Sequence, residues 1–102
     1  MNEYRRKVYE FVKLIPFGKV TTYGEIARAI GSPRSSRAVG SMLHINPEPI
    51  SIPCHRVVNS KGELSPNFAF GGMKGQKSLL ESEGVVVKKG KVDLSEFGFV
   101  FW

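Results

Sequence analysis

Apolar residues near the amino terminus recur three and four positions apart, at Tyr4, Val8, Phe11, Val12 and Ile15. That spacing collects them on one stripe of an α-helix, which Pro16 and Gly18 end. The next segment opens on Thr22 with Glu25 three residues on, the pattern of a capping box, and carries Ile26, Ala27, Ala29 and Ile30 as far as Gly31. Ser32 and Pro33 mark a further start, with serine at the cap and proline in the first helical position. Ala38, Val39, Met42 and Leu43 supply that helix with its apolar face. Two short helices across a tight Gly31-Ser32 turn predict a helix-turn-helix.

After the helices, Asn46-Pro47-Glu48-Pro49 predicts an extended connection that leaves Cys54 on a loop or short strand. Residues 56–64 predict a hairpin turning at Ser60-Lys61-Gly62, a wing beside the helix pair. Residues 68–72 read as a flexible aromatic loop, and residues 77–83 as a short helix stopped by Gly84. Residues 85–87 and 92–94 flank Lys88-Lys89-Gly90-Lys91 as a terminal hairpin, and residues 97–102 form an apolar tail packed on the core. The expected fold class is mainly α, a small winged helix-turn-helix domain with short β-hairpins. With 102 residues, 41% of them hydrophobic, one compact core is filled and residues 1–102 make one domain.

Fifteen Lys and Arg against nine Asp and Glu give a net charge of +6. Nucleic acid is a reasonable partner for such a chain, although a solvated basic surface gives the same number. No run approaches the ~18 apolar residues of a membrane span, and Met1-Asn2-Glu3-Tyr4-Arg5-Arg6 is not followed by the apolar core of a signal peptide. The expectation is a cytoplasmic, nucleoid-associated protein with a reduced thiol and no membrane partner.

The single cysteine stands in Ile52-Pro53-Cys54-His55-Arg56-Val57. It cannot form an intramolecular disulfide, and Cys-His alone lacks the further ligands of a closed zinc site, so no metal is expected. A lone cysteine is ordinarily a small buried hydrophobe. A thiol beside an imidazole is also equipped for nucleophilic chemistry, because a thiol of pKa about 8.5 is mostly protonated near neutrality and the imidazole can take that proton.

The order of Tyr23, Arg37-Ala38-Val39-Gly40, Asn46-Pro47, Pro53-Cys54-His55-Arg56-Val57 and Leu79-Leu80-Glu81-Ser82-Glu83-Gly84 resembles the DNA-binding, active-site domain of O6-alkylguanine-DNA alkyltransferases, from about Phe11 to Gly84. The resemblance implies irreversible, single-turnover transfer of an alkyl group from O6-alkylguanine in double-stranded DNA to Cys54, the activity of a methylated-DNA–protein-cysteine S-methyltransferase, without a cofactor. It implies that Cys54 passes its proton through a water to His55, that Glu83 orients and charge-stabilises the imidazole, and that Asn46 braces the cysteine turn. The target base must leave the duplex. By resemblance Arg37 enters the stack in its place, with Arg34 and Ser36 beside it on a recognition helix set in the minor groove, and Tyr23 rotates the phosphate and bonds the flipped base. Val57 lends a carbonyl to the guanine amine, and Phe70, Gly71 and Gly72 belong to the loop that covers the base. Arg34, Lys61 and Lys74 are candidate phosphate contacts.

Two features depart from the family pattern. Full-length alkyltransferases usually carry an additional N-terminal domain, sometimes with zinc, whereas this chain starts almost at the active-site domain. The covering loop commonly reads Tyr-Ser-Gly-Gly, and Ala69 and Phe70 here replace its two hydroxyl residues. Both departures are similar to the alkyltransferase-like proteins, single-domain lesion sensors that flip alkylated guanine and hand it to nucleotide excision repair. A non-enzymatic sensor with a repair-protein partner is therefore the alternative, and a winged-helix regulator with a coincidental cysteine a third. Cys54 favours transfer, since the sensor branch typically has tryptophan or alanine there. A monomer is expected.

Overall fold

The computed structural model describes residues 3–46, 48 and 51–101. Helix α1 spans Glu3–Val12 and buries Val8, Tyr9 and Val12. It stops three residues before Ile15, and the N–H groups of Leu14 and Ile15 bond only three residues back, to Phe11 and Val12. Pro16 disfavours the helical region for Ile15, so the last turn tightens. Ile15 is buried nevertheless. Tyr9, outside the predicted stripe, donates its hydroxyl to the Met42 carbonyl at 2.9 Å and ties α1 to the third helix.

Strand β1 (Thr21–Thr22) leads into α2 (Tyr23–Ala29), where Thr22 Oγ1 accepts the Glu25 N–H at 3.0 Å. Only this half of the capping box forms. The Glu25 carboxylate turns instead to Arg28 and to the backbone N–H of Phe101, fastening the chain's end to α2. Helix α3 is Ser36–His44 and not a helix from Ser32. The Ser32 carbonyl accepts both the N–H and the hydroxyl of Ser35, closing a turn that holds Pro33 and Arg34 ahead of the helix.

Glu48 bonds Asn46 Oδ1 through its N–H and the Ile52 N–H through its carbonyl, so the chain folds back here and does not run extended. Pro47, Pro49 and Ile50 of that expected connection lie outside the described residues. Cys54–Arg56 is one 3₁₀ turn, neither strand nor open loop, and it feeds β2 (Val57–Val58). The predicted 56–64 hairpin does not form because β2 pairs in parallel with β1, Thr21 opposite Val57 and Thr22 opposite Val58. Its turn survives: Asn59 Oδ1 accepts the N–H groups of Lys61 and Glu63, an Asx-type closure, and Glu63 then bridges to Lys91. Gly62 is required there, since a Cβ would strike the Val92 carbonyl.

Helix α4 runs Gly72–Ser82, five residues longer at its start than the 77–83 pattern predicts. Only residues before Gly72 remain of the expected loop. Gly84, at φ +86°, ends the helix with the Val85 N–H on the Leu80 carbonyl, a Schellman closure. The terminal hairpin is β3 (Val87–Lys88) against β4 (Lys91–Val92), followed by α5 (Leu94–Phe97). The tail then packs as expected: the Phe99 N–H donates to the Val20 carbonyl, the Val20 N–H donates to the Phe97 carbonyl, and Phe101 meets the Phe11 ring edge-on at 5.1 Å. Trp102 lies outside the described residues.

Two apolar clusters result. One joins α1, α2 and α3 to Ile52, Cys54 and Val57; the other joins Val20, Val58, Leu64, Leu80, Val85 and Val92. Val57 and Val58 point to opposite faces of β2, so this two-residue strand is keyed into both clusters. The cysteine turn is thereby pinned where they meet.

Candidate active site

Cys54 is 5% exposed. Burial pushes its thiol pKa up, opposed by a hydrogen bond with the Asn46 side chain. Asn46 is itself buried, donating to the Ile52 carbonyl at 2.7 Å and accepting the Glu48 N–H at 2.8 Å. Its amide therefore closes the loop that enters the cysteine turn.

The 3₁₀ turn directs His55 and Arg56 to one carboxylate at the C-cap of α4. His55 Nε2 lies 2.6 Å from Glu83 Oε2, and Arg56 contacts both oxygens through Nε and Nη2 at 2.9 to 3.1 Å. The Gly18 N–H donates to Oε1 at 2.9 Å, and Arg56 Nη1 donates to the Ile15 carbonyl. Burial raises the Glu83 pKa, but the bonds from Arg56, Gly18 and His55 outweigh it and hold the carboxyl below its ordinary value. Burial lowers His55 more than Glu83 raises it, which leaves the ring neutral near pH 7. An ionised carboxylate only accepts, so Nε2 carries the ring proton and Nδ1 keeps a free lone pair. That Nδ1 is buried and has no hydrogen-bond partner among the described residues.

A cavity of 770 Å³ opens over Cys54. One wall is α3, through Ser36, Arg37, Gly40, Ser41 and His44; another is Ser65 with residues 67–69, and Tyr23 also lines it. Burial raises the Tyr23 pKa, against a hydrogen bond with Ser65, which keeps the phenol protonated. His44 Nδ1 meets the Asn67 carbonyl at 2.6 Å and joins the two walls. Arg37 is exposed.

Residues 3–85 match the model of the 6-O-methylguanine DNA methyltransferase DNA-binding domain. The chain belongs to this family. Alkyltransferase-like protein 1 of Schizosaccharomyces pombe is 49% identical over 85% of this chain and 81% of that protein. The DNA base-flipping protein of Escherichia coli is 39% identical over 94% and 74%. A methylated-DNA–protein-cysteine methyltransferase of Methanosarcina acetivorans is 44% identical over 80% of this chain but 51% of its own length, so this chain spans about half of that relative. The crystal structure of S. pombe Atl1 in complex with damaged DNA containing O6-carboxymethylguanine superposes at a TM-score of 0.86, with 43% identity over 97% of this chain and 96% of that one. The small, mainly helical alkyltransferase-type fold is thus shared. No helix among the described residues is long and apolar enough to cross a membrane.

Within this alkyltransferase domain, Asn46 bonds Cys54 and Glu83 bonds His55, two pairs brought side by side by the Cys54-His55 step of the chain, and Cys54, Tyr23, Arg37 and Ser36 share the cavity. Arg34, Val57, Phe70, Gly71 and Gly72 do not line it. Arg34 sits in the turn before α3, Phe70 is 38% exposed, and Gly71 and Gly72 form the cap and first residue of α4. Val57 is fully buried, and its carbonyl accepts from Gln76 Nε2 at 2.9 Å.

Sequence reasoning missed Arg56 and Gln76. Gln76, fully buried, donates to the carbonyls of His55 and Val57 and accepts the Ser65 N–H, so α4 braces both the cysteine turn and the cavity wall. A glutamine one turn before Leu79-Leu80 on the same helix gives no local sign of this. Arg56 could have been suspected, because a cation adjoining a buried His and Glu needs a partner.

Proposed function

We propose that this protein repairs DNA by moving the alkyl group of an O6-alkylguanine, flipped out of the duplex into the cavity, onto Cys54. The observation that carries the proposal is the 2.6 Å contact between His55 Nε2 and Glu83 Oε2 immediately beside the buried thiol. It leaves the Nδ1 lone pair of a neutral imidazole to serve as base for a thiol that burial keeps protonated. Cys54 gives its proton through a bridging water to His55. The sulfur attacks the alkyl carbon; the S–C bond forms as the C–O6 bond breaks, and the released guanine takes up a proton. The thioether is not reversed, so each molecule reacts once.

In this reading Arg37 enters the base stack, at the exposed start of α3 on the cavity rim. Ser36 and Arg34 contact the backbone beside it. Tyr23, held protonated and lining the cavity, donates to the flipped base. Phe70, Gly71 and Gly72 cover the base after the 68–71 turns adjust to it, and Val57 offers the guanine amine the second lone pair of its carbonyl. Asn46 is a positioning residue for the cysteine turn. Kinship with alkyltransferase and base-flipping proteins supports the same assignment.

A second reading, lesion binding without transfer, is favoured by Ala69 and Phe70, which bring no hydroxyl to the cavity, and by the likeness to an alkyltransferase-like protein. A duplex bearing one O6-methylguanine, incubated in excess over the protein and digested to nucleosides, separates the two. Transfer restores one guanine per protein molecule and no more; a sensor leaves the lesion intact in a stable complex.

A further inference from the structure

We infer that the tip of the β3–β4 hairpin, with Lys88, Lys89 and Lys91, is a second contact surface for the phosphate backbone of duplex DNA, separate from α3. The inference rests on the reading of the cavity as a DNA site. Three local choices at this tip work against the isolated hairpin. Lys88 and Lys91 stand directly opposite each other across the ladder, where like charges repel. Lys89 has φ 53°, the positive-φ non-glycine residue among those described, in a two-residue turn whose geometry favours Asn-Gly or Asp-Gly. All three side chains are exposed, and none makes an ion pair among the described residues. A strained, self-repelling cluster of cations is the arrangement expected when an external polyanion offsets it.

Acids lie close to the tip without forming an ion pair with it among the described residues: Glu63 stands opposite Lys91 in a β-bridge and interacts with its charge, and Asp93 and Glu96 line a groove with Lys88 and Lys91. Glu63 accepts from Asn59 Nδ2 at 2.8 Å, Asp93 caps α5 through the N–H and hydroxyl of Ser95, and Glu96 lies on α5 at the base of the hairpin. The position also fits. The Leu64 N–H donates to the Gly90 carbonyl at 3.0 Å, and the next residue, Ser65, lines the cavity. Gly90 packs against Met73 in the first turn of α4. The lysines therefore flank the wall built by residues 65–69, where a duplex engaged by α3 would continue.

The test is the salt dependence of binding to duplexes with and without O6-methylguanine. Each phosphate contact adds about 0.9 to the slope of log affinity against log salt, so K88Q/K89Q/K91Q should flatten the slope by about 2 to 3. Both duplexes should lose affinity by the same factor, leaving lesion preference unchanged. K7Q/K13Q, on α1 and in the turn that follows it, should change the slope by less than half as much per lysine. Lys89→Asn should raise the thermal midpoint while weakening binding several-fold, a pairing that a purely structural lysine would not give. An unchanged slope in a triple variant whose wild type binds duplex overturns the inference, as does an equal loss per charge in the α1 variant. Loss of binding to anionic vesicles with duplex binding intact overturns it in favour of a membrane surface. A wild type that binds neither duplex refutes the underlying DNA reading before any variant is made.

Discussion

Glu83 and His55 are held by buried hydrogen bonds from three separate segments, whereas Arg37, lining the cavity that opens over Cys54, is exposed and has no hydrogen bond or ion pair among the described residues. The two regions differ in what the ligand must supply. The cysteine turn is finished before DNA arrives: Asn46 closes its entry, Gln76 its exit, and Arg56 and Gly18 fix the carboxylate that fixes the imidazole. In the proposed transfer, such preorganisation would spare the reaction the cost of orienting dipoles. The turn before α3 and the helix's first residues carry Arg34 and Arg37 into solvent, so these side chains lose freedom on binding a partner. Chemistry and recognition should therefore respond to different mutations.

The sharpest break between the regions is Cys54→Ser, which should abolish alkyl transfer while leaving duplex affinity within about twofold, read by band shift and nucleoside analysis together. Glu83→Gln should come next. It leaves the Arg56 charge without its partner in a buried pair, which costs about 3 kcal/mol in urea unfolding, and it should slow transfer by about 100-fold with little change in binding. Glu83 raises the His55 pKa against a larger lowering by burial, so its removal should move the acid limb of the transfer rate to still lower pH. An acid limb moved upward would contradict the assignment of His55 as base.

Stability should decline in acid for two reasons of the same sign. His55 is depressed in the fold, so its contribution is present above the ordinary imidazole value of about 6.5 and is lost as pH falls below it. Glu83 is also depressed, so its contribution persists above the carboxylate range of about 4.3 and is lost as pH falls through its lower folded value. Urea midpoints between pH 7 and 3 would follow both steps, and Glu83→Gln should shrink the lower one, to which the depressed Glu25 carboxyl also contributes. Gln76→Leu strands two carbonyls and one N–H, and should cost about 2 kcal/mol without shifting the acid limb. Arg37→Ala belongs on the other side of the comparison. It should weaken lesion-duplex binding about tenfold yet change stability by less than about 0.5 kcal/mol.

How much of this was legible in the sequence follows from how local each signal is. The stripe of α1, the Thr22 cap and the stop at Gly84 depend on residues within one turn, and the chain folds as they indicate. Ser32-Pro33 carries the same letters whether it caps a helix or closes a turn; the choice was made by Tyr4, whose hydroxyl reaches Ser35 from α1 at 2.6 Å. The start of α4 was hidden because Gly72 and Gly75 are poor helix formers, yet Gly75 is needed where a Cβ would collide with the Phe70 carbonyl. Val57-Val58 reads as a strand without revealing its partner. In the site, Cys54, His55 and Glu83 were found through their motif, but Arg56 on Glu83 and Gln76 on the cysteine turn are contacts across 27 and about 20 positions of chain that no local pattern encodes.

Transfer to Cys54 itself is tested most directly by mass spectrometry of the intact protein and its peptides after reaction with a duplex bearing one O6-methylguanine, with Cys54→Ser in parallel. One added methyl group per molecule, confined to the peptide that contains Cys54 and absent from the serine variant, is the result predicted. An unmodified Cys54 peptide from protein that has bound the lesion duplex to saturation would contradict it and make this alkyltransferase domain a reader of the lesion, with removal left to another protein.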